Sequence, residues 1–273
     1  MAPTAVDKSP RRIREMFDLI SPRYDFLNHL LSLNTDVLWR RRAAERCGPA
    51  LKESESHPSG QAVKGGEASP SGPVSKRVLD VCSGTGDLAL ELRRRWGCEV
   101  VGTDFAFRML RRARIKGGRT PGLRFQQADT LHLPFRDATF DACTVAFGLR
   151  NVADMNAGIR EMARVVRPGG RVVILEFATP PSRLLRRGYL FYFTRVLPAI
   201  GELIAPARRG AYRYLPDSVA AWPGPEELKA ALERAGLVEA GFERLTCGVA
   251  AIHFGTRPNG AGARKKQGPD RRW

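Results

Sequence analysis

The chain has 273 residues, a formal net charge of +17 and 43% hydrophobic residues. This length can bury one sizeable core, and the hydrophobic content argues against a disordered protein. Its five dispersed cysteines exclude a disulfide scaffold and a zinc motif, and they predict reduced thiols. We expect no membrane span, because no uncharged run is long enough, and no signal peptide, because the amino terminus lacks an apolar stretch.

The excess positive charge is concentrated in three segments. Residues 1–46 contain nine basic and six acidic residues, residues 181–213 contain seven arginines and one acid, and residues 257–273 contain six basic residues and one acid. Such segments suit nucleic acid or an anionic membrane surface, and a solvated basic surface is the alternative. Composition alone does not decide between them.

The chain divides into four parts by composition. Residues 1–50 predict a helical cap, with amphipathic helices interrupted at Ser21-Pro22. Residues 51–76 form an insertion whose Ser/Gly/Pro-rich stretch predicts a flexible loop. Residues 77–257 predict the main domain, and residues 258–273 predict a disordered basic tail.

The main domain alternates strand and helix patterns, which predicts an α/β fold with a doubly wound, seven-stranded sheet and its ligand at the strand carboxyl ends. Arg167-Pro-Gly-Gly170 predicts a turn. The expected strands are 77–82, 99–104, 123–129, 140–147, 171–177, 240–246 and 249–256, and the expected helices are 87–96, 106–116, 154–166 and 226–236.

Residues 183–213 predict a helical lid. Within 183–206, leucines and aromatic residues alternate with arginines, a pattern typical of a helix at a membrane interface. A helix pair that covers the core is the alternative. Both interpretations hold if the pair lies over an apolar substrate.

A glycine turn follows the first predicted strand. Gly84 and Gly86 allow a sharp turn and a close approach of the backbone to a ligand, and Asp87 begins the next helix. The next strand ends at Asp104, 18 residues after Gly86, where a carboxylate would meet the hydroxyls of a ribose.

Two cofactors fit this turn. Gly84 to Ala89 satisfies the dinucleotide pattern G-x-G-x-x-G/A. However, Asp80 and Asp87 flank the turn and would repel a pyrophosphate. They would attract the ammonium and sulfonium groups of S-adenosylmethionine, which this segment favours over NAD or FAD.

Further motifs lie in the segments Met16–Asp25, Leu27-Asn28, Trp39–Arg42, Phe147-Gly-Leu-Arg-Asn-Val152, Leu175–Phe177, Tyr212–Ser218 and Leu245–His253. With the strand-end motifs of the main domain, they resemble those of class I S-adenosylmethionine-dependent methyltransferases, which have a Rossmann-like fold. In detail the chain resembles the UbiE/MenG C-methyltransferases of quinone biosynthesis, over roughly residues 10 to 257 apart from the insertion. The glycine turn is not specific to this family.

The resemblance implies a set of cofactor contacts. Thr85 lies in the turn, Asp104 would bind the ribose, and Asp129 with Thr130 would bind the adenine amino group, while Asp80, Gly84 and Gly86 shape the pocket. Two positions depart from relatives. Cys82 stands where many class I enzymes have glycine, and Ala146 stands where some relatives have a serine that touches the cofactor.

Three residues are candidates for the chemistry on the quinol ring. Arg150 would stabilise the quinolate or order a water, Asn151 would orient the ring hydroxyl, and Tyr24 would reach in from the amino-terminal cap. A salt bridge for Arg150 and core packing for Tyr24 are the structural alternatives. Because arginine stays charged near neutral pH, electrostatic stabilisation suits Arg150 better than a base role, and we expect Arg150→Ala to reduce turnover more than cofactor binding.

No metal is needed for this reaction, and the four histidines lack ligand spacing; His253 suits a structural role. The resemblance implies C-methylation of a polyprenylated quinol, with demethylmenaquinol first and the methoxy-benzoquinol of ubiquinone synthesis second. We expect a cytoplasmic protein bound peripherally to the anionic inner face of the membrane, without specific nucleic-acid binding, as a homodimer or within a quinone-synthesis assembly. An RNA methyltransferase and a non-catalytic subunit are the remaining alternatives.

Overall fold

The computed structural model describes residues 9–20, 25, 29, 32–52, 75–196, 199, 218–219 and 221–259. The predicted break at Ser21-Pro22, residues 53–74 of the insertion, most of the second half of the lid and residues 260–273 of the tail lie outside the described residues. Seven strands form one sheet: β1 Arg77–Val81, β2 Glu99–Asp104, β3 Leu123–Gln127, β4 Phe140–Ala146, β5 Val166–Phe177, β6 Val238–Leu245 and β7 Ala250–Thr256.

Helices flank the sheet and cover its two faces. In the described ranges they are α1 Pro10–Ile20, α2 Thr35–Arg46, α3 Gly48–Leu51, α4 Asp87–Trp96, α5 Phe107–Gly117, α6 Met155–Val165, α7 Arg183–Phe191, which continues as the π-helical turn Tyr192–Val196, and α8 Pro225–Arg234. Single 3-10 turns cover Leu149–Asn151 and Thr246–Gly248. None of the helices in these ranges combines the length and hydropathy required to cross a bilayer.

The strand order is β3-β2-β1-β4-β5-β7-β6. Strands β1 to β5 run parallel to one another, and β7 pairs antiparallel with both β5 and β6. The chain leaves β1 in one direction through β2 and β3 and then returns to β4 on the other side of β1. This switch point opens a crevice at the carboxyl ends of β1 and β4, and the predicted Rossmann-like fold is confirmed.

Two apolar layers hold this sheet between the helices. On one face Trp39 and Ala43 of α2 pack with Leu88 and Leu92 of α4. On the other face Ile159 and Met162 of α6 are buried with residues of α8. The indole nitrogen of Trp39 donates to the hydroxyl of Thr246 over 2.8 Å, which fastens the amino-terminal helices to the end of the sheet.

The predicted turn at Arg167–Gly170 is wrong, because these residues belong to β5. The amide of Gly169 donates to the carbonyl oxygen of Arg257, and the amide of Arg257 donates to that of Gly170, both over 2.8 Å. The register shifts between Phe140 and Ala142 on β4, and Gly169 has a positive φ of 76°. A bulged strand end therefore uses the same glycine that a turn would need. The third strand is shorter than predicted and ends at Gln127.

Candidate functional site

The glycine turn joins β1 to α4 at the centre of the crevice. Gly84 and Gly86 have φ values of 57° and 86°. A Cβ at Gly86 would also lie 2.7 Å from the ring of Phe125, so both the backbone and the packing require glycine here. The amide of Gly84 donates to Oδ2 of Asp104 over 2.8 Å, which ties the turn to the end of β2.

Two acids stand on either side of this turn, Asp80 buried and Asp104 half-buried. Asp80 accepts hydrogen bonds from the hydroxyls of Ser83 and Thr144, each over 2.7 Å. Asp104 accepts from the amides of Gly84 and Ala106, each over 2.8 Å. Burial raises the pKa of each carboxyl to about 6, although these hydrogen bonds oppose the rise. The site therefore holds concentrated negative charge at neutral pH.

The crevice contains two recesses that meet at the carboxyl ends of β1 and β4. The larger, which we call the nucleoside recess, has about 780 Å³ of empty space, including the part at its mouth that is open to solvent. Its walls include Gly84, Asp104, Phe105, Met109, Asp129, Thr130 and Asn151, with Ile13, Arg14 and Phe17 from α1. The smaller, the polar recess, has about 320 Å³ and is lined by Arg40, Asp80, Cys82, Ser83, Gly84, Thr85, Asp87, Leu88 and Ala146. Cys82, Gly84 and Ala146 line both.

The structure brings most of the predicted cofactor residues to these recesses. Asp104, Asp129 and Thr130 share the nucleoside recess, whereas Asp80 and Thr85 line the polar recess. Oδ1 of Asp129 accepts the amide of Leu131 over 2.9 Å, which fixes this loop. Gly86 lines neither recess, and its role is to allow the positive φ that the turn requires.

The structure describes two of the three candidate chemical residues, and these two lie in different places. Asn151 lines the nucleoside recess at the end of the 3-10 turn after β4. Arg150 is buried beneath it and lines neither recess. Its Nη1 contacts the carbonyl oxygen of Phe147 and Oε2 of Glu176, the latter over 2.8 Å. The structural alternative for Arg150, an ion pair, is thus present. Tyr24 lies outside the described residues.

Comparison with known proteins places the chain in one family. The model of the ubiE/COQ5 methyltransferase family matches residues 5–257. The chain belongs to this family. It is 49% identical to a demethylmenaquinone methyltransferase of Thermus thermophilus, over 89% of this chain and 100% of that protein. It is 45% identical to the ubiquinone/menaquinone biosynthesis C-methyltransferase UbiE of Geobacter sulfurreducens, over 90% of this chain and 88% of that protein.

Solved structures support the fold independently. A methyltransferase of Haloferax volcanii, solved with its Trm112 activator, aligns with a TM-score of 0.59 and 17% identity, covering 89% of this chain and 98% of that one. A SAM-dependent methyltransferase of Thermotoga maritima aligns with a TM-score of 0.58 and 17% identity, covering 89% and 99%. At this identity the likeness concerns the fold alone.

The donor set of this ubiE/COQ5 member fits S-adenosylmethionine. Asp104 stands at the end of β2 beside the glycine turn, and the nucleoside recess extends from it to Asp129 and Thr130. The carboxylates of Asp80 and Asp87 in the polar recess suit the ammonium and sulfonium groups of S-adenosylmethionine. Ala146 lines both recesses and presents no hydroxyl to either. Cys82 has a φ of 49°, and its Sγ lies 3.3 Å from the hydroxyl of Thr130.

Sequence reasoning missed a set of charged residues around Thr85. The hydroxyl of Thr85 donates to Asp25, and Nζ of Lys116 lies 2.6 Å from the other carboxylate oxygen of Asp25. Burial acts to raise the pKa of Asp25, but the hydrogen bonds from Lys116 and Thr85 outweigh it and hold the pKa below its usual range. Asp25 ends the motif Met16–Asp25, which was the available signal, whereas nothing in the sequence pairs Lys116 with it.

His253 has the structural role that the sequence predicts. It is buried in β7, and its Nε2 lies 3.1 Å from the carbonyl oxygen of Pro225. Burial lowers the pKa of His253 to about 4. Within the described residues, no group of three or more His, Cys, Asp or Glu side chains is arranged to hold a metal ion.

Proposed function

We propose that this protein transfers the methyl group of S-adenosylmethionine to a ring carbon of a polyprenylated quinol, converting demethylmenaquinol to menaquinol. The observation that carries the proposal is the continuity of the two recesses. The acids and the glycine turn that suit the cofactor share one crevice with Asn151, which follows β4 on the substrate side. The methoxy-benzoquinol of ubiquinone synthesis is the second candidate, because curated relatives carry both names.

The residues of this chain prepare the transfer by holding and shielding the reactants. When bound, the cofactor supplies an electrophilic methyl group. Phe147 and Val152 line the recess beside Asn151 and present an apolar surface to the reactants. The Asn151 amide can donate to a ring hydroxyl and fix the ring carbon in line with the methyl group. Arg150 lies beneath this turn in an ion pair with Glu176, and we assign it the electrostatic stabilisation of the quinolate, which the Glu176 carboxylate partly offsets.

An anaerobic turnover assay tests this function. Purified protein is incubated with methyl-labelled S-adenosylmethionine and with reduced demethylmenaquinol or the reduced methoxy-benzoquinol, each in anionic liposomes. We expect label on a ring carbon, with more product from the naphthoquinol. Cofactor binding without transfer to either quinol would contradict the proposal, and would direct the search to RNA substrates or to a non-catalytic subunit.

We expect cofactor affinity to fall as pH drops below about 6. The pKa values of Asp80 and Asp104 are raised by burial from 3.8 to about 6 in the unliganded protein, so both carboxyls take up protons in this range. A bound cation favours their ionised forms, and binding should therefore release protons near pH 6. The same shifts make the unliganded fold lose stability as pH rises from about 4 to about 6, because the folded state holds these protons more tightly.

Calorimetric titration with S-adenosylmethionine between pH 5 and 8 measures this effect. Affinity at pH 5 should be about 10-fold below that at pH 7.5 for each acid that must ionise. Buffers with different ionisation heats count the released protons. Asp80→Asn should remove part of the pH dependence. An affinity that stays constant over this range would contradict the assignment of both acids.

Helix α7 suits the surface of an anionic membrane on the cytoplasmic side. None of its residues is buried, and Leu184 and Phe191 are 80% and 64% exposed. Arg183, Arg186 and Arg187 lie among them and are also exposed. An amphipathic basic helix of this kind inserts its apolar residues at the headgroup boundary and pairs its arginines with anionic lipids. This placement would bring a prenylated substrate to the protein.

Liposome flotation tests the role of α7. Leu184→Glu with Phe191→Glu should reduce binding to phosphatidylglycerol vesicles about 10-fold or more, and 0.5 M salt should weaken wild-type binding. Ile115→Glu is the matched control, because Ile115 is 75% exposed on α5. Equal losses in the control and the α7 variant, or equal wild-type binding to zwitterionic vesicles, would contradict the membrane assignment.

A further inference from the structure

A row of four aromatic rings joins the nucleoside recess to α7. Phe147 follows β4 and lines the recess, and its ring centroid lies 4.7 Å from that of Phe177 at the end of β5. Phe193 continues the row, 5.7 Å from Phe177, and stacks on Tyr189 of α7 with 5.1 Å between the ring centroids. The row therefore holds the inner side of α7 against the carboxyl ends of β4 and β5, the edge of the sheet where this fold binds its ligands.

The hydroxyl of Tyr189 is buried at the α7 end of this row. Among the residues that the structure describes, it has no hydrogen-bond partner, which is rare for a buried polar group and costs stability. Burial raises the pKa of Tyr189 well above its ordinary value, whereas the positive charge of Arg150 opposes the rise. The phenol therefore keeps its proton near neutral pH, and it is a hydrogen-bond donor without an acceptor.

Arg150 carries a second buried donor of this kind. Its Nη1 is bonded to Phe147 and Glu176, but its Nε is buried and has no partner within the described ranges. The guanidinium carbon lies 5.2 Å from the ring centroid of Phe177, so Arg150 packs against the same aromatic row. The effect of its charge on the pKa of Tyr189 places the two groups close enough to interact. Both groups are donors, and one negatively charged oxygen would suit both.

We propose that the hydroxyl of Tyr189 and Nε of Arg150 together bind the ionised ring oxygen of the quinol, which makes Tyr189 a catalytic residue. The ring carbon becomes a good nucleophile when the neighbouring hydroxyl loses its proton, and two preorganised donors stabilise the resulting charge in a buried site. Neither residue takes that proton, because both are already protonated, and it passes to water. The second ring hydroxyl is left to Asn151. This inference rests on the proposed function and deepens it, since it names a contact of the same quinol.

Tyr189→Phe tests the proposal, because it removes the hydroxyl and keeps the ring. In anaerobic turnover with methyl-labelled S-adenosylmethionine and reduced demethylmenaquinol, we expect kcat to fall about 10- to 100-fold, the range for loss of one hydrogen bond to a charged oxygen. The KM for the quinol should stay within about 3-fold of wild type, because this bond strengthens as the charge develops. Calorimetric affinity for S-adenosylmethionine should be unchanged. The melting temperature should stay the same or rise, because the unliganded variant no longer buries an unpaired hydroxyl.

Thr194→Val is the matched control, because it also removes one hydroxyl from this helical segment. Thr194 donates to the carbonyl oxygen of Leu190 over 2.7 Å at the surface, and its variant should turn over as wild type does. A wild-type kcat in Tyr189→Phe would overturn the proposal, as would an equal loss in Thr194→Val. A lower kcat together with a lower melting temperature would also overturn it and assign the hydroxyl to the fold. If wild type methylates neither quinol, the proposed function itself fails and this inference with it, a result distinct from an active wild type that is insensitive to Tyr189→Phe.

Discussion

The Glu176→Ala variant should lose about 3–5 kcal/mol of unfolding free energy, because it removes one partner of a buried ion pair. Glu176 is fully buried at the end of β5 and accepts Nη1 of Arg150 over 2.8 Å. It also accepts the amides of Arg150 and Phe177, each over 3.2 Å. Without the carboxylate, the guanidinium loses its counter-charge and keeps the carbonyl oxygen of Phe147, while two amides lose an acceptor. Burial of an uncompensated charge is the largest of these costs.

Thermal and urea unfolding measure this loss, which corresponds to a fall in melting temperature on the order of 10 °C. Glu176→Gln keeps an acceptor and the side-chain volume, so it should lie between wild type and Glu176→Ala. Arg150→Met with Glu176→Leu removes both charges and should recover most of the stability, as buried pairs replaced by apolar residues often do. A Glu176→Ala protein that unfolds like wild type would show that water reaches Arg150.

The double variant also separates the two roles considered for Arg150. Arg150→Ala alone leaves Glu176 as an unpaired buried charge, so reduced turnover in that variant would mix instability with lost chemistry. In the folded double variant, no cation remains beneath the turn that carries Asn151. Turnover reduced about 100-fold, with cofactor affinity unchanged, would assign Arg150 to stabilisation of the quinolate. Turnover near wild type would assign the pair to the fold.

The cofactor side of the crevice could be predicted because its determinants are local. Gly84, Gly86 and Asp104 follow strands at short spacings, and parallel strands bring their carboxyl ends to one edge. Asp129 and Thr130 follow the neighbouring strand, so the same strand order predicts that they lie beside Asp104, as they do in the nucleoside recess. Alternation of apolar strands and amphipathic helices predicted the order of these elements for the same reason.

The partners of predicted residues that the sequence could not identify depend on contacts between distant segments. Arg150 and Glu176 are 26 positions apart, and Thr85 and Asp25 are 60 apart. Neither pairing has a spacing that could reveal it, since each depends on how separate elements pack. The Pro-Gly-Gly sequence before Arg171 has the local propensity of a turn. These residues instead extend β5 because they pair with the segment at Arg257, and a contact with a distant segment is not encoded in local propensity.

Asp104→Ala should reduce S-adenosylmethionine affinity about 100-fold or more. The carboxylate accepts the amides of Gly84 and Ala106, so its loss frees the glycine turn from β2. It also removes the acceptor we assign to the ribose hydroxyls. Charge-assisted hydrogen bonds contribute about 1.5–3 kcal/mol each, and two of them account for this loss. Asp137→Ala is the control, since Asp137 pairs with Arg164 outside both recesses.

A ligand that lacks the ribose 2′-hydroxyl separates these two effects. Wild type should bind 2′-deoxy-S-adenosylhomocysteine more weakly than S-adenosylhomocysteine, and Asp104→Ala should bind the two alike, because the missing hydroxyl then has no carboxylate to meet. If the variant still discriminates between them, Asp104 acts by holding the turn, and another group binds the ribose. Asp104→Asn strengthens the distinction, because its amide oxygen can accept only part of what the carboxylate accepts. The turn and the ribose compete for the same two oxygens, and affinity in this variant should therefore report which of them takes priority.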